Sequence, residues 1–331
     1  MKKLTIYSSW ILLLFSFLSC GPAKPSGSDY THYLFAYFTG NAADEEAVRY
    51  AISSDGYSFY ALNNNEPIMD SKEISHTGGV RDPHILRGED GTFYMVLTDL
   101  LTSEYGWSNT AMIMLTSEDL ITWTSSVVDI PKTFPEEFSE VMRVWAPQTI
   151  YDTNQRKYMV YFSMLEPGGY DKIYYAYANK DFTGLEKAPQ QLFYNPSEKA
   201  TIDGDIVEKD GTYHLFYKTE GDKDKGIKVA LSNKLTGDYM PLEGNVDQTD
   251  KAVEGSGVFK MIDSDKYILM YDVYIDGEYQ FTESTDLKNF KVVDEKIQMD
   301  FHPRHGSIIP ITEKETQRLL EKFPSQNTSN H

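Results

Sequence analysis

The chain has 331 residues, 14% of them aromatic, and sets 50 acidic against 31 basic side chains for a formal net charge of −19. An acidic excess of that size excludes a surface built to hold nucleic acid or an anionic membrane, since both need clustered lysine and arginine. With one cysteine, Cys20, a disulfide framework is excluded too, so the folded part must be held by its core.

Residues 1–20, MKKLTIYSSWILLLFSFLSC, join two lysines to an apolar run that ends on a small residue before Cys20. The run is too short to span a bilayer, and this order predicts an export signal. FLSC followed by Gly21 resembles a bacterial lipoprotein box. That resemblance implies lipidation of Cys20 and anchoring in the bacterial cell envelope, the lipid being the membrane link. Residues 21–30 read as a flexible tether.

From Tyr33 onward one unit recurs five times at intervals of roughly 50–65 residues. Each copy has an aromatic strand: YLFAYFTG from Tyr33, TFYMVLTD from Thr92, KYMVYFSM from Lys157, TYHLFYKT from Thr212 and KYILMYDV from Lys266. Each also has a polar turn: SSDGYSF from Ser53, SEDLITW from Ser117, NKDFTGL from Asn179, SNKLTGDY from Ser232 and STDLKNF from Ser284. Repeated strand and turn without helix predicts an all-β fold, a five-bladed β-propeller filling residues 31–323 as one domain.

Candidate innermost strands are DPHIL (Asp82–Leu86), APQTIY (Ala146–Tyr151), DGDIVE (Asp203–Glu208), EGSGVFK (Glu254–Lys260) and HGSIIPI (His305–Ile311). The first four run through a hairpin turn into an aromatic strand. The fifth does not, and the segment Tyr33–Leu62 has no innermost strand before it. Pairing these two ends in one split blade closes the ring and removes its open edges. After it, Glu313–Phe323 is predicted as a short amphipathic helix, and residues 324–331 as a frayed tail.

Acids stand at the heads of three innermost strands: Asp82 in GGVRDPHIL, Asp203 in TIDGDIVEKDG and Glu254 in AVEGSGVF. Carboxylates are depleted in strands and costly to bury unless paired. Their recurrence at one register of separate blades predicts three carboxyls converging on a single axial pocket. That arrangement suits glycoside hydrolysis, in which one carboxyl acts as acid and another as base.

The succession RDPHI, VWAP, IDGDI, VEGSG and RHGSI resembles glycoside hydrolase family 43, the five-bladed propellers that cleave arabinose- and xylose-containing glycans. The resemblance implies that Asp82 is the general base, Glu254 the general acid, and Asp203 the residue that tunes and orients the acid. It also implies inversion at the anomeric carbon. The motifs depart from the family's usual form at Gly204, where Asp205 becomes a rival of Asp203, at Gly255-Ser256, and at Gln148.

Further pocket candidates are Arg81, beside the base; Trp145, a stacking platform for a sugar ring; and His305, which symmetry places on the axis. The resemblance suggests that His305 lines the pocket or reaches a central water or metal. No cofactor is required, although a structural calcium on the axis is conceivable. Asp99, Trp107, Lys218 and Glu220 follow the aromatic strands, and the loops Leu101–Thr110 and Glu166–Asp171 are where specificity should lie. The expectation is an exported, lipid-anchored, inverting and exo-acting hydrolase of neutral plant-type oligo- or polysaccharides ending in arabinofuranosyl or xylosyl units. The alternative is a glycan-binding propeller without catalysis, whose mark would be a missing axial acid.

Overall fold

The computed structural model describes Pro25 and residues 27–195, 200–221 and 225–325. The export signal, Cys20, tether residues 21–24 and 26, and tail residues 326–331 lie outside the described residues. Regular structure begins within the expected tether, with a turn of 3-10 helix at Gly27–Asp29 and a strand from Tyr30.

Four blades are four-stranded antiparallel sheets in chain order from the axis outward. Blade one is Val80–Arg87, Phe93–Asp99, Ala111–Ser117 and Thr124–Asp129. Blade two is Arg143–Asp152, Lys157–Leu165, Lys172–Tyr177 and Gln190–Phe193. Blade three is Thr201–Lys209, Thr212–Thr219, Gly226–Ser232 and Met240–Pro241. Blade four is Glu254–Lys260, Tyr267–Val273, Glu278–Ser284 and Lys291–Val292.

The fifth blade is split as expected. Ser307–Thr312 is its innermost strand and pairs antiparallel with Tyr30–Tyr37, Leu34 facing Ile309 and Phe35 facing Ile308. Arg49–Ser53 and Ser58–Ala61 follow outward, and a short strand at Gln298–Met299 adds itself parallel to the outer edge. This last strand is not foreseen by the repeat.

Each aromatic strand is second from the axis and is covered on both faces by neighbouring blades. That is why Phe93–Asp99 and Tyr267–Val273 are buried at every position and read as apolar runs, interrupted only by Thr98, Asp99 and Asp272, rather than as alternating ones. Three of the five polar turns are built alike. Asp55 accepts the amides of Tyr57 and Ser58, Asp119 those of Ile121 and Thr122, and Asp286 those of Lys288 and Asn289, all at 2.7–2.9 Å. A short acidic side chain bonding its own backbone two and three residues on is the usual reason for Asp in a tight turn.

The C-terminal helix, Glu313–Lys322, carries a capping box between Thr312 and Glu315. Glu315 also takes Arg87 of blade one in a two-pronged pair at 2.7 and 2.8 Å, which ties the helix to that innermost strand. Ile311, Leu319 and Phe323 pack with Leu34 and Ile85 in one core spanning the closing seam. Ile311→Ala, at a fully buried position, is expected to lower the unfolding free energy by about 2–5 kcal/mol in urea titrations. A loss below about 1 kcal/mol would show that the seam does not hold the ring.

Candidate active site

The innermost strands of blades one to four begin with the same irregularity. Each slips register once at its head, between Arg81 and His84, Trp145 and Gln148, Ile202 and Asp205, and Glu254 and Gly257. Inside each bulge one residue takes a positive φ: Asp82 at 53°, Ala146 at 45°, Asp203 at 53° and Gly255 at 61°. Asp82 and Asp203 therefore occupy the same place in their blades. Glu254 stands one residue earlier, in the place of Arg81, Trp145 and Ile202, which corrects the single register expected for all three acids. Gly255 has a second reason to lack a side chain: a Cβ there would fall 2.7 Å from the Cβ of His305.

Opposite the residue before each bulge, the second strand presents Thr98, Ser163, Lys218 and Asp272, and each reaches into the next blade. The Thr98 hydroxyl accepts the Ala146 amide at 2.8 Å and donates to Asp82 Oδ2 at 2.7 Å. Ser163 accepts the Asp203 amide at 3.1 Å. Lys218 Nζ donates to Glu254 Oε2 at 3.1 Å, and Asp272 accepts Arg304 Nε from the closing blade. In the closing blade itself, Phe38 lies under the Arg81 guanidinium, 4.5 Å from its ring centre. Lateral contacts between blades thus close a polar ring around the axis.

The ring surrounds a cavity of about 660 Å³, and Asp82, Asp203, Glu254, Arg81, Trp145 and His305 all line it. His305 Nδ1 lies 3.5 Å from Asp82 Oδ1. Asp203 Oδ2 accepts the Gly255 amide at 3.0 Å, so it is fixed beside the strand that carries Glu254. Asp205 is turned away from the cavity lining and accepts the Val258 amide at 2.6 Å. Arg304 Nη2 donates to Glu254 Oε1 at 2.8 Å. Arg81 donates its hydrogen bonds to Glu46 and Asn41, each at 2.8 Å, and reaches Asp82 through its charge.

Trp107, Lys218 and Glu220 also line the cavity. Asp99 does not, being spent on the amides of His76 and Thr77. Arg304, Thr98, Ser163 and Asp272 are singled out by no motif. Position seven of the strands from Thr92, Lys157, Thr212 and Lys266 nevertheless marks Thr98, Ser163, Lys218 and Asp272, in three of the four strands between residues of a different character.

A family model described as "Probable glycosyl hydrolase domain", for proteins related to glycoside hydrolase family 43, matches residues 28–317. The chain belongs to this family of glycosyl hydrolases. An α-L-arabinofuranosidase of Bifidobacterium longum subsp. longum is 25% identical over an alignment of 203 residues that covers 54% of this chain and 18% of that protein. The chain therefore spans less than a fifth of the length of that relative. An α-L-arabinofuranosidase structure from Clostridium thermocellum superposes with a TM-score of 0.59 at 12% identity, covering 80% of this chain and 90% of that one. An endo-1,4-β-xylanase structure from Bacteroides thetaiotaomicron gives 0.57 at 16% identity, covering 81% and 93%. At these identities the two structures share the fold.

The axial carboxyls are held in different states. Burial opposes the charge on Asp82, but the hydrogen bond and charge of His305, then Arg81 and Thr98, outweigh it and hold the carboxyl below its ordinary value. Asp203 is pushed up, chiefly by burial and then by Glu254, against the pull of His305 and Lys218. Asp205 rises to about 7 through burial. Burial works against a charged His305 as well, yet Asp82, Asp203 and Glu254 together raise it to about 9. His84 goes the other way, down to about 3, through burial and the His305 charge. One imidazole of the pair is charged and the other neutral.

Among the described residues no cluster of three or more His, Cys, Asp or Glu side chains is arranged to hold a metal ion, and His305, the residue expected to reach one, is engaged with Asp82. Because the folded pKa of His305 lies above its ordinary 6.5, its stabilising contribution is complete below pH 6.5 and is lost as pH rises through about 9. Thermal melts between those two pH values should show wild type losing stability and His305→Gln losing less. Equal slopes for the two proteins would mean that His305 is not charged in the folded ring.

Proposed function

We propose that this hydrolase is an inverting, exo-acting glycosidase that removes terminal arabinofuranosyl or xylosyl units from neutral plant-type glycans. The observation that carries the reading is the convergence of Asp82, Asp203 and Glu254 on one cavity, with Asp82 held ionised by His305. Asp82 takes a proton from a water molecule as that water attacks the anomeric carbon. Glu254 gives its proton to the departing glycosidic oxygen, and Asp203, fixed beside it, tunes that transfer. Inversion asks for a gap of roughly 6.5–9.5 Å between base and acid, room for the attacking water. The reaction needs no cofactor.

Two things support a neutral sugar. Each cation at the cavity is already engaged: Arg81 by Glu46, Arg143 by Asp171, Lys218 by Glu220 and Glu254, and Arg304 by Asp272 and Glu254. The names of the relatives, arabinofuranosidase and xylanase, also point to pentose-containing glycans. In the cell the protein is proposed to be exported by residues 1–20 and anchored through lipid on Cys20. Metabolic labelling with a fatty acid, present in wild type and lost in Cys20→Ser, tests that part.

Asp82→Asn and Glu254→Gln are each expected to lower kcat by roughly 10²–10⁴-fold while the melting curve stays cooperative. The substrate panel is arabinan, arabinoxylan, xylan and galactan, with NMR of the first anomer released. Wild-type rates in either variant would remove that residue from its role, and a first anomer of retained configuration would refute inversion. Tight glycan binding without turnover of any glycan would mark a binding protein. For kcat/KM, the acid limb reports protonation of Asp82 and should lie below the ordinary carboxylate range, rising in His305→Gln.

A further inference from the structure

The cavity is larger than one terminal pentose requires; about 660 Å³ is the size of pockets that enclose a drug-sized ligand. Its charged end is the ring of carboxyls. Its outer end is walled by aromatic side chains from the two loops whose sequence promises specificity, Trp107 and Tyr170, which are 52% and 51% exposed.

Trp145, expected as the stacking platform, is covered on its ring by the Arg143 guanidinium at 4.2 Å. Trp107 stands edge-on to it, centres 6.1 Å apart, and leaves half its own surface open. The position of Trp107 is built rather than incidental. The Arg81 guanidinium is sandwiched between Phe38 and Trp107, 4.5 and 5.2 Å from the two rings. Glu46, fully buried, holds Arg81 with one oxygen and the Thr102 amide at the base of the Trp107 loop with the other. Gly106, just before the tryptophan, has φ 59° and ψ −134°, a conformation closed to other residues, although a Cβ there would meet nothing within 4 Å.

We propose that Trp107 and Tyr170 form a leaving-group subsite that grips the second and third sugars of a neutral oligosaccharide. The subsite extends the hydrolytic reading given above and rests on it. An indole or phenol face packs against the apolar face of a sugar ring. Between them the Arg143–Asp171 pair, two hydrogen bonds at 2.8 Å, offers donors and acceptors to hydroxyls without net charge. The indole N–H of Trp145, buried and without a partner among the described residues, is a further donor at the same wall. A uronic acid would find no unengaged cation among these residues, which is why the occupant is neutral.

The experiment is a binding titration, by calorimetry and indole fluorescence, on the full chain carrying Glu254→Gln. The probes are xylotetraose, α-1,5-arabinotetraose and the monosaccharides xylose and arabinose. Adding Trp107→Ala should weaken binding of the preferred tetrasaccharide roughly tenfold, Tyr170→Ala should act in the same direction, and Trp107→Phe should recover most of the loss. The monosaccharide, which reaches only the charged end, should weaken less, so the ratio of the two affinities falls. Unaltered tetrasaccharide affinity in Trp107→Ala, the same factor lost on both probes, or no tetrasaccharide binding to the parent protein would each overturn the subsite. A wild-type enzyme that binds the tetrasaccharide through Trp107 but hydrolyses nothing would sink the hydrolytic reading and leave the subsite standing.

Discussion

The pairing of Tyr30–Tyr37 with Ser307–Thr312 is the contact on which the rest of the molecule depends. It joins chain segments about 270 residues apart in sequence, so its cost in chain entropy is met only when the four intervening blades are already side by side. Closure also completes the chemistry. Arg304 and His305 arrive on the segment just before the closing strand, one against Glu254 and Asp272, the other against Asp82. An open ring would leave Asp82 without its imidazolium and would leave Asp272, now engaged by Arg304, buried and unpaired. Fold and site are therefore finished by the same step.

Part of the backbone strain lies at the axis itself. Positive φ in a residue other than glycine costs on the order of 1–3 kcal/mol, and Asp82, Ala146 and Asp203 all carry it at the same point of the bulge. The bulge turns the strand head, so a side chain that would have pointed between blades can point at the axis. At blade four the same position is Gly255, the strain vanishes, and the carboxylate has moved back one residue to Glu254. That offset matters for function. Asp82 and Asp203 leave the bulge in one direction, and Glu254 approaches from the preceding residue beside Lys218 and Arg304. Asp82 and Glu254 thus face the cavity from unlike backbone positions.

Much of this was legible in the residues. Five aromatic strands and five polar turns could be set in register by eye, and the split blade followed from one strand too many at one end and one too few at the other. The three carboxylates stood out because acids have no structural reason to head a buried strand. Other parts were hidden for physical reasons. Thr98, Ser163, Lys218 and Asp272 share one position, but a hydroxyl, an ammonium and a carboxylate share no chemistry, so the pattern appears only when the next blade is in place. Arg304 hides behind the more conspicuous His305. Glu46 lies in a loop, and nothing local announces that it holds both Arg81 and the Trp107 loop. The parallel strand Gln298–Met299 is two residues long, too short to carry any periodicity.

The ring of lateral contacts means that no axial residue acts alone. Lys218 touches Glu220 and Glu254, Glu254 touches Arg304, Arg304 touches Asp272, and His305 feels Asp82, Asp203 and Glu254 together. Where the partner is fully buried, as Asp272 is beside Arg304, removing one member leaves the other buried with its charge unmet, at a cost greater than the contact itself contributed. Single substitutions around the axis will therefore overstate each residue's own share, and the shares will not add. Pairs such as Lys218 with Glu254, or Asp82 with His305, have to be removed singly and together before a contribution is assigned to either. The same network links Asp82 to Glu254, since the His305 charge faces both carboxyls at once.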